Sequence, residues 1–200
     1  MNPHQKTPEW FKAREGKLTA SQFGQAAGLA PGSRQALWRR IMGLETFEGN
    51  EATQWGEANE PVALAAYEKL HQAVEQVGFV RHPEHEWLGA SPDFLVGLEG
   101  VGEIKCPFSK EIHKEIPAYY MAQIQGQMEI THRDWCDFVV WVPDGMRVWR
   151  VERSHEYWEW LHILLADFWT WVTAQVEPPR QSKPKSVPKV SITNDSLFKL

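Results

Sequence analysis

Two acidic residues and a lysine in the middle of the chain have a spacing that could support metal-dependent chemistry. Asp93 follows a proline, nine residues separate it from Glu103, and Lys105 comes two residues after Glu103. Side chains two positions apart on a strand emerge on the same face of a sheet. The pattern therefore predicts that Glu103 and Lys105 lie side by side, next to Asp93.

This group of two acids and a lysine is suited to hydrolysis at phosphorus. Two carboxylates and the main-chain carbonyl of Ile104 are the hard oxygen ligands that Mg²⁺ prefers, and Mg²⁺ needs few of them from a protein. A neighbouring lysine can position or deprotonate the attacking water. We therefore predict a metal site at Asp93, Glu103 and Ile104, with Lys105 acting on the nucleophile.

The alternative is a solvated sheet face, on which an acid and a lysine commonly alternate. Spacing alone favours that interpretation, but the surroundings of the motif do not. The motif follows a Pro-Asp turn, lies between strand-like segments, and comes after a long predicted helix that carries another acid, Glu60. These coincidences favour an active site.

The elements that must position these residues alternate between helices and strands. Capping residues and prolines predict helices from Thr19 or Ser21 to about Gly28, and over residues 33–43, 51–72, 117–130 and 154–172. Strand patterns cover residues 74–80, 87–96 with a turn near Pro92, 101–106, 135–142 and 147–152. We expect the first three strands to form a meander, and Pro61 to end or break the third helix. The order predicts a mixed α/β fold.

The composition predicts one domain over residues 1–176, followed by a Pro/Lys-rich tail over residues 177–200. Two hundred residues, 42% of them hydrophobic, suffice for a sizeable core. In the tail, four prolines alternate with basic residues, which predicts an extended linker. The last residues, 190–200, are apolar enough to dock elsewhere as a short appendage.

Charge is segregated along the chain, although the formal net charge of −5 argues against a generic nucleic-acid-coating protein. Residues 1–44 carry seven basic and two acidic side chains, whereas residues 45–104 carry two basic and twelve acidic ones. The pattern fits a phosphate-contacting N-terminal segment beside a cation-binding middle. Solvated helices of opposite sign would give the same tally.

The remaining residue patterns indicate a cytoplasmic protein with reduced, structural thiols. Neither cysteine, nor any of the eight histidines, has a metal-binding spacing. The N-terminus is polar, and no apolar stretch approaches the roughly 20 residues that a membrane span needs.

Four segments, in order, resemble the phage lambda exonuclease family, also called YqaJ-type viral recombinases or alkaline exonucleases. They are residues 14–21 (REGKLTAS), 55–60 (WGEANE), 91–107 (Ser-Pro-Asp through EIKCP) and 120–125 (YMAQIQ). The resemblance implies a restriction-endonuclease-like core, with a mixed central sheet flanked by helices. It also implies a Mg²⁺-dependent 5′→3′ exonuclease that degrades one strand of linear double-stranded DNA to mononucleotides.

Further properties follow from the same resemblance. The site is expected to hold two Mg²⁺ ions, with Mn²⁺ as a substitute, in a bacterial or phage-infected host cell. The 3′ single strand that remains serves recombination by single-strand annealing. Ring-shaped homotrimers around DNA and a single-strand annealing protein as partner are expected as well.

The resemblance assigns roles to nine residues. Asp93, Glu103 and the Ile104 carbonyl bind metal, Lys105 handles the attacking water, and Glu60 and Gln123 complete the catalytic site. Three further residues receive DNA at its 5′-terminal phosphate, and they are Arg14, Ser21 and Ser91. A guanidinium and hydroxyls in one pocket suit that phosphate, because it carries more charge than a diester.

The chain departs from the family pattern in two places, and two other functions stay open. The segment between Ser21 and Trp55 is shorter than in the lambda enzyme, which leaves Trp38 and Met42 as candidates for a strand-separating wedge. The family pattern has a basic residue at the position where this chain has Glu111, and the nearest basic residue in this chain is Lys110. The alternatives are an endonuclease with the same metal site and a non-catalytic DNA-binding scaffold.

Overall fold

The computed structural model describes residues 5–46 and 49–200 and confirms the predicted mixed α/β order. The helices are α1 (Pro8–Arg14), α2 (Ala20–Ala26), α3 (Arg34–Ile41), α4 (Glu51–Leu70), α5 (Ala118–Thr131) and α6 (His155–Thr173). The strands are β1 (Leu18–Thr19), β2 (Val80–Arg81), β3 (Leu88–Ala90), β4 (Phe94–Val96), β5 (Gly100–Lys105), β6 (Trp135–Val142), β7 (Gly145–Glu152) and β8 (Ile192–Lys199).

Local hydrogen bonds explain where the helices begin. The Ser33 hydroxyl accepts from the Ala36 N–H at the start of α3, and the Ser154 hydroxyl accepts from the Tyr157 N–H at the start of α6. The predicted boundary or break at Pro61 is wrong, since α4 runs through this residue without interruption. A proline inside a helix removes one backbone donor, and packing of the α4 residues Ala63 and Tyr67 against the sheet offsets that loss.

The main sheet has five strands in the order β4-β5-β6-β7-β8. The β5–β6 pair is parallel, and the other pairs are antiparallel. A second sheet has the order β1-β3-β2. The predicted meander is therefore wrong: the segment 87–96 divides at Pro92 into β3 and β4, which belong to different sheets. This division places the turn that carries Asp93 between the two sheets.

Helices cover both faces of the main sheet. Alternate residues of β6 face opposite ways, as strand geometry requires. Val139 packs in one cluster with Tyr67 of α4, and Phe138 packs in another with Ile124 and Met128 of α5. Helices α2, α3 and α6 enclose a third cluster beside the sheet. The predicted mixed sheet flanked by helices is thereby confirmed.

The end of the predicted tail belongs to the main sheet. Residues 177–191 form neither helix nor strand, as expected for the Pro/Lys-rich segment. Residues 192–199, however, form β8, which pairs antiparallel with β7. Arg147 on β7 donates two hydrogen bonds to the Asp195 carboxylate on β8, both at 2.8 Å. The predicted appendage is thus the edge strand of the sheet, while the division of the chain at residue 177 stays a prediction.

Candidate active site

Asp93 is held against β5 by two backbone hydrogen bonds. Its N–H donates to the Gly102 carbonyl at 3.1 Å, and its Oδ2 accepts from the Ile104 N–H at 2.6 Å. Gly102 is required here, because a Cβ at this position would lie 1.9 Å from the ring of Phe94. The turn after Pro92 therefore places the Asp93 carboxylate beside the backbone of Glu103 and Ile104, as the sequence predicted.

Glu103 is the hydrogen-bonding centre of the site. Its side chain is buried, and its Oε1 accepts hydrogen bonds from Lys105 Nζ and Gln123 Nε2, both at 2.5 Å. Its Oε2 accepts from Gln127 Nε2 at 2.6 Å. The structure thus brings together Glu103, Lys105 and Gln123, all three of which were predicted as site residues. Three directed donors hold this carboxylate in one orientation.

Gln127 was not predicted as a site residue. Residues four apart on a helix lie on the same face, so Gln127 faces the strand together with Gln123. The signal was the Gln-x3-Gln spacing in α5, which continues past the end of the matched segment at residue 125. Gln127 Nε2 binds Glu103, while its Oε1 is buried without a hydrogen-bond partner among the described residues.

The acids and the lysine line a cavity of about 290 Å³ between α4 and β5. Glu60 of α4 lines the same cavity, so the structure places the predicted acidic residues together. Its carboxylate is 3.6 Å from Lys6 Nζ. His113 and Tyr120, which were not predicted as site residues, also line the cavity, and Lys105 Nζ lies 4.8 Å from the centre of the Tyr120 ring.

The carboxylates repel one another in the absence of a cation. Burial raises the pKa of Asp93 well above its usual value, and the charges of Glu103 and Glu60 raise it further. Burial would lower the pKa of the Lys105 ammonium, but the charges of Glu103, Tyr120 and Asp93 outweigh that effect and raise it. Ionisation of Asp93 is therefore unfavourable in this site, and a positive ion would favour it.

A divalent cation fits this donor set. No group of three His, Cys, Asp or Glu side chains in residues 5–46 and 49–200 has a geometry for holding a metal ion. Mg²⁺, however, retains several waters and needs one or two carboxylates. Asp93, Glu103 and the Ile104 carbonyl meet this requirement. The Cys106 thiol also lines the cavity, but burial and the charges of Glu60 and Asp93 raise its pKa to about 12.

The three residues predicted to bind phosphate lie in a second polar cluster. Arg14 Nη1 donates to the Ser91 hydroxyl at 3.2 Å, and Arg14 Nη2 donates to the Thr19 hydroxyl at 3.4 Å. The hydroxyls of Thr19 and Ser21 share a hydrogen bond of 3.2 Å. Thr19 and Trp10, whose indole N–H donates to the Ser91 hydroxyl, were not predicted as members of this cluster.

Arg14 keeps its charge in this cluster. Burial lowers the pKa of its guanidinium to about 10, which leaves it protonated at neutral pH. Across the part of the chain that the structure describes, no carboxylate forms an ion pair with it. Its stacking over the Trp10 ring, 4.1 Å from the ring centre, fixes its direction. A half-buried cation with neutral hydrogen-bond partners is suited to an anion.

Trp38 and Met42, the candidates for a strand-separating wedge, belong to the hydrophobic cluster between α2, α3 and α6 and do not line the cavity. Trp38 is buried, and its indole N–H donates to the Trp171 carbonyl at 3.1 Å. Met42 packs against the same cluster. Trp38 is therefore a core residue that cannot insert between DNA strands. Lys110 lies near the cavity, with its Nζ 4.9 Å from the centre of the Trp55 ring, whereas Glu111 is exposed.

The fold and this site define a class of restriction-endonuclease-like α/β proteins, as predicted. The chain belongs to the family of the YqaJ-like viral recombinase domain, whose family model matches residues 9–134. The predicted family is thereby confirmed.

Solved structures support this assignment. The alkaline exonuclease LHK-Exo from Laribacter hongkongensis is 34% identical, with a TM-score of 0.73 over 86% of this chain and 95% of that one. The structure of LHK-Exo in complex with dAMP gives 33% identity and a TM-score of 0.74 over the same shares. A phage-related exonuclease from Haemophilus somnus, at 15% identity and a TM-score of 0.63 over 80% of this chain and 94% of that one, shares the fold.

One curated relative is much longer than this chain. The uncharacterized protein R354 of Acanthamoeba polyphaga mimivirus is 29% identical over 167 residues, which are 72% of this chain and 30% of that protein. As for membranes, no helix within residues 5–46 and 49–200 has the length and apolar character to cross one.

Proposed function

We propose that this protein is a Mg²⁺-dependent exonuclease that degrades one strand of linear double-stranded DNA from its 5′ end. It releases mononucleotides and leaves a 3′ single strand. The observation that carries the proposal is the link between the two polar clusters: Ser91 binds Arg14, and Asp93 follows it by two residues. Family membership and the likeness to LHK-Exo, an alkaline exonuclease, support it.

The Arg14 cluster gives the enzyme its direction. A 5′-terminal phosphate carries a second negative charge that an internal diester lacks, and a half-buried guanidinium with hydroxyl groups selects for that charge. Two residues of chain span at most about 7 Å, so an end held at Ser91 lies close to the acids. Arg14, Ser21 and Ser91 therefore position a DNA end, and the neighbouring diester enters the cavity.

The residues of the cavity divide the chemistry among them. Asp93, Glu103 and the Ile104 carbonyl hold the divalent cation, for which Mn²⁺ can substitute. When bound, the ion stabilises negative charge on the phosphoryl group and promotes ionisation of the attacking water. Lys105, held by Glu103, orients that water through its ammonium protons. Gln123 and Gln127 keep the Glu103 carboxylate in place.

We further propose that Glu60 supports a second cation in the same cavity and that the protein acts as a homotrimer with a single-strand annealing protein. The trimer and the annealing partner are proposed from family membership. The same reasoning leads us to propose that the protein acts in the cytoplasm of a bacterial or phage-infected cell. Light scattering of the purified protein tests the trimer, with three times the mass of one chain as the expected result.

A comparison of linear and circular DNA tests the activity. We expect Mg²⁺-dependent release of acid-soluble nucleotides from a linear plasmid, while the covalently closed form of the same plasmid stays intact. Cleavage of the closed circle would support an endonuclease instead. Binding of the linear DNA with no release in any divalent metal would support a scaffold.

A further inference from the structure

Two partly exposed aromatic side chains lie at the rim of the active-site cavity without contributing to the core. Trp55 lies on α4 between Thr53 and Gly56, which line the cavity, and Phe108 follows the lining residue Pro107. Their ring centres are 6.4 Å apart, in an edge-to-face arrangement. Neither side chain is a member of the three hydrophobic clusters of the described residues or packs against one.

The chain after β5 displays Phe108 at the tip of a tight turn. The Lys110 N–H donates to the Pro107 carbonyl at 3.0 Å, which leaves Phe108 and Ser109 at the two central positions. Phe108 is 51% exposed. Lys110 has a φ of +57°, a left-handed conformation that is uncommon for a residue other than glycine, asparagine or aspartate. The turn thus presents an aromatic ring to solvent beside the cavity.

Lys110 brings a positive charge to the same rim. Its ammonium lies over the Trp55 ring, 4.9 Å from the ring centre. The cavity itself is lined by the acids Glu57, Glu60, Asp93 and Glu103. An aromatic surface with a cation beside it is the arrangement with which proteins bind single-stranded nucleic acid, because the rings stack on bases and the cation meets phosphate.

We propose that Trp55 and Phe108 form a stacking surface for an unpaired base of the strand being hydrolysed, next to the scissile phosphate, with Lys110 contacting the backbone of that strand. This inference rests on the proposed function, because it specifies what the same site binds. The surface would hold a base that has left the duplex, so its contribution depends on the base and not on the phosphate. Every base has a π face, and the contact is therefore tolerant of sequence.

Substrates that lack a base test the stacking contact. We would measure the binding of 5′-phosphorylated duplexes by fluorescence anisotropy in Ca²⁺, using either normal ends or tetrahydrofuran abasic residues at the first two nucleotides of the 5′-phosphorylated strand. Phe108→Leu keeps an apolar side chain and removes the ring. We expect it to weaken binding of the normal duplex about tenfold and to leave binding of the abasic duplex unchanged.

Two further variants separate stacking from charge and from folding. Lys110→Gln is expected to weaken both duplexes by the same factor, since its contact is with the backbone. Ile163→Ala removes an exposed apolar side chain on α6 and is expected to change neither. Thermal unfolding of each variant in the absence of DNA checks that the fold is retained.

The outcomes distinguish the stacking surface from the proposed function. If Phe108→Leu weakens both duplexes equally, or neither, the stacking surface is wrong even though the wild-type protein binds and cleaves DNA. If the wild-type protein binds neither duplex in any divalent metal, the proposed function fails, and the stacking surface fails with it.

Discussion

The guanidinium of Arg14 donates a hydrogen bond of 3.2 Å to the hydroxyl of Ser91, although the two residues are 77 positions apart in the chain. The same hydroxyl accepts a hydrogen bond from the Trp10 indole at 2.9 Å. Because Asp93 follows Ser91 by two residues, this contact places the polar cluster around Arg14 beside the acids of the cavity.

Arg14→Ala is expected to reduce the preference for a 5′-phosphorylated end much more than it reduces hydrolysis itself. A charge-assisted contact contributes about 1.5 to 3 kcal/mol, so the rate on a 5′-phosphorylated duplex should fall roughly ten- to a hundredfold. The rate on a 5′-hydroxyl duplex should change far less, as single-turnover kinetics on both substrates will show. Lys12→Ala is the control, since it removes an exposed positive charge from the same helix, α1. Equal slowing on both substrates would make Arg14 a general backbone contact.

Lys105→Gln is expected to nearly abolish turnover and to spare DNA binding. Glutamine can still donate to the Glu103 carboxylate but has no ammonium to orient the attacking water. Loss of a group that acts on the nucleophile lowers rates by about 10² to 10⁴. Single-turnover rates at saturating enzyme and anisotropy binding measure the two effects separately. A rate within a factor of about two of wild type would exclude the role.

Asp93→Asn is expected to stabilise the metal-free protein while it abolishes metal-dependent cleavage. The raised pKa of Asp93 means that the folded state binds its proton more tightly than the unfolded state, so the ionised carboxylate destabilises the fold as pH rises through that pKa. Asparagine removes the charge but keeps an oxygen for the Ile104 N–H. The melting temperature in chelator should therefore rise at pH 8, and this gain should shrink as the pH is lowered.

Metal addition gives the complementary result. Mg²⁺ should raise the melting temperature of the wild-type protein and have little effect on Asp93→Asn, and Glu103→Ala should likewise lose metal-supported cleavage. Ca²⁺ should support DNA binding without efficient cleavage, because its looser geometry matches an octahedral site poorly. Strong cleavage by wild-type enzyme in chelator would defeat the metal assignment.

His82 is expected to make the fold sensitive to mild acid. Its Nδ1 accepts hydrogen bonds from the backbone N–H groups of Glu84 and His85, so protonation would break both. Burial, together with the charge of His85, lowers its pKa to about 4. The unfolded chain therefore binds more protons between pH of about 6.5 and 4, and stability falls as pH drops through this window by up to about 3 kcal/mol.

His82→Asn provides the test, because an amide oxygen accepts the same hydrogen bonds and does not titrate. We expect this variant to show a flatter dependence of the free energy of unfolding on pH than the wild type, measured by denaturant titration at pH 7.5 and pH 5. His155→Asn alters an exposed histidine and serves as the control. Parallel pH profiles for His82→Asn and wild type would contradict the assignment.

Removal of residues 191–200 is expected to lower stability and leave the site competent. Every proposed site residue lies earlier in the chain, but β8 pairs along β7, and Phe198 packs against the cluster that contains Tyr67. We expect loss of this half-buried ring to lower the free energy of unfolding by roughly 2 kcal/mol, which corresponds to a fall of about 4 to 8 °C in melting temperature. Leu197→Ala, which changes an exposed side chain of the same strand, should have little effect. A truncated protein that is folded but unable to cleave DNA would place a site residue in β8.

The sequence by itself determined the fold class, most helix boundaries and the placement of Glu103 beside Lys105. These features depend on local rules: Ser33 and Ser154 cap helices through hydrogen bonds to nearby backbone, and Glu103 and Lys105 share a face because strand side chains alternate. The other predicted site residues came from the resemblance to the family. A resemblance indicates which residues form a site but does not give the distances between them.

Tertiary structure decided what depends on pairing between distant segments. The partners of Glu103 include Gln127 because α5 lies across β5, and no local pattern specifies that crossing. Long-range contacts also explain three other features. They are the continuous helix at Pro61, the division of the segment 87–96 between two sheets, and the pairing of residues 192–199 as an edge strand. In each case long-range packing and backbone hydrogen bonds outweigh the local preference. Local preferences do not specify which distant segment will provide these contacts.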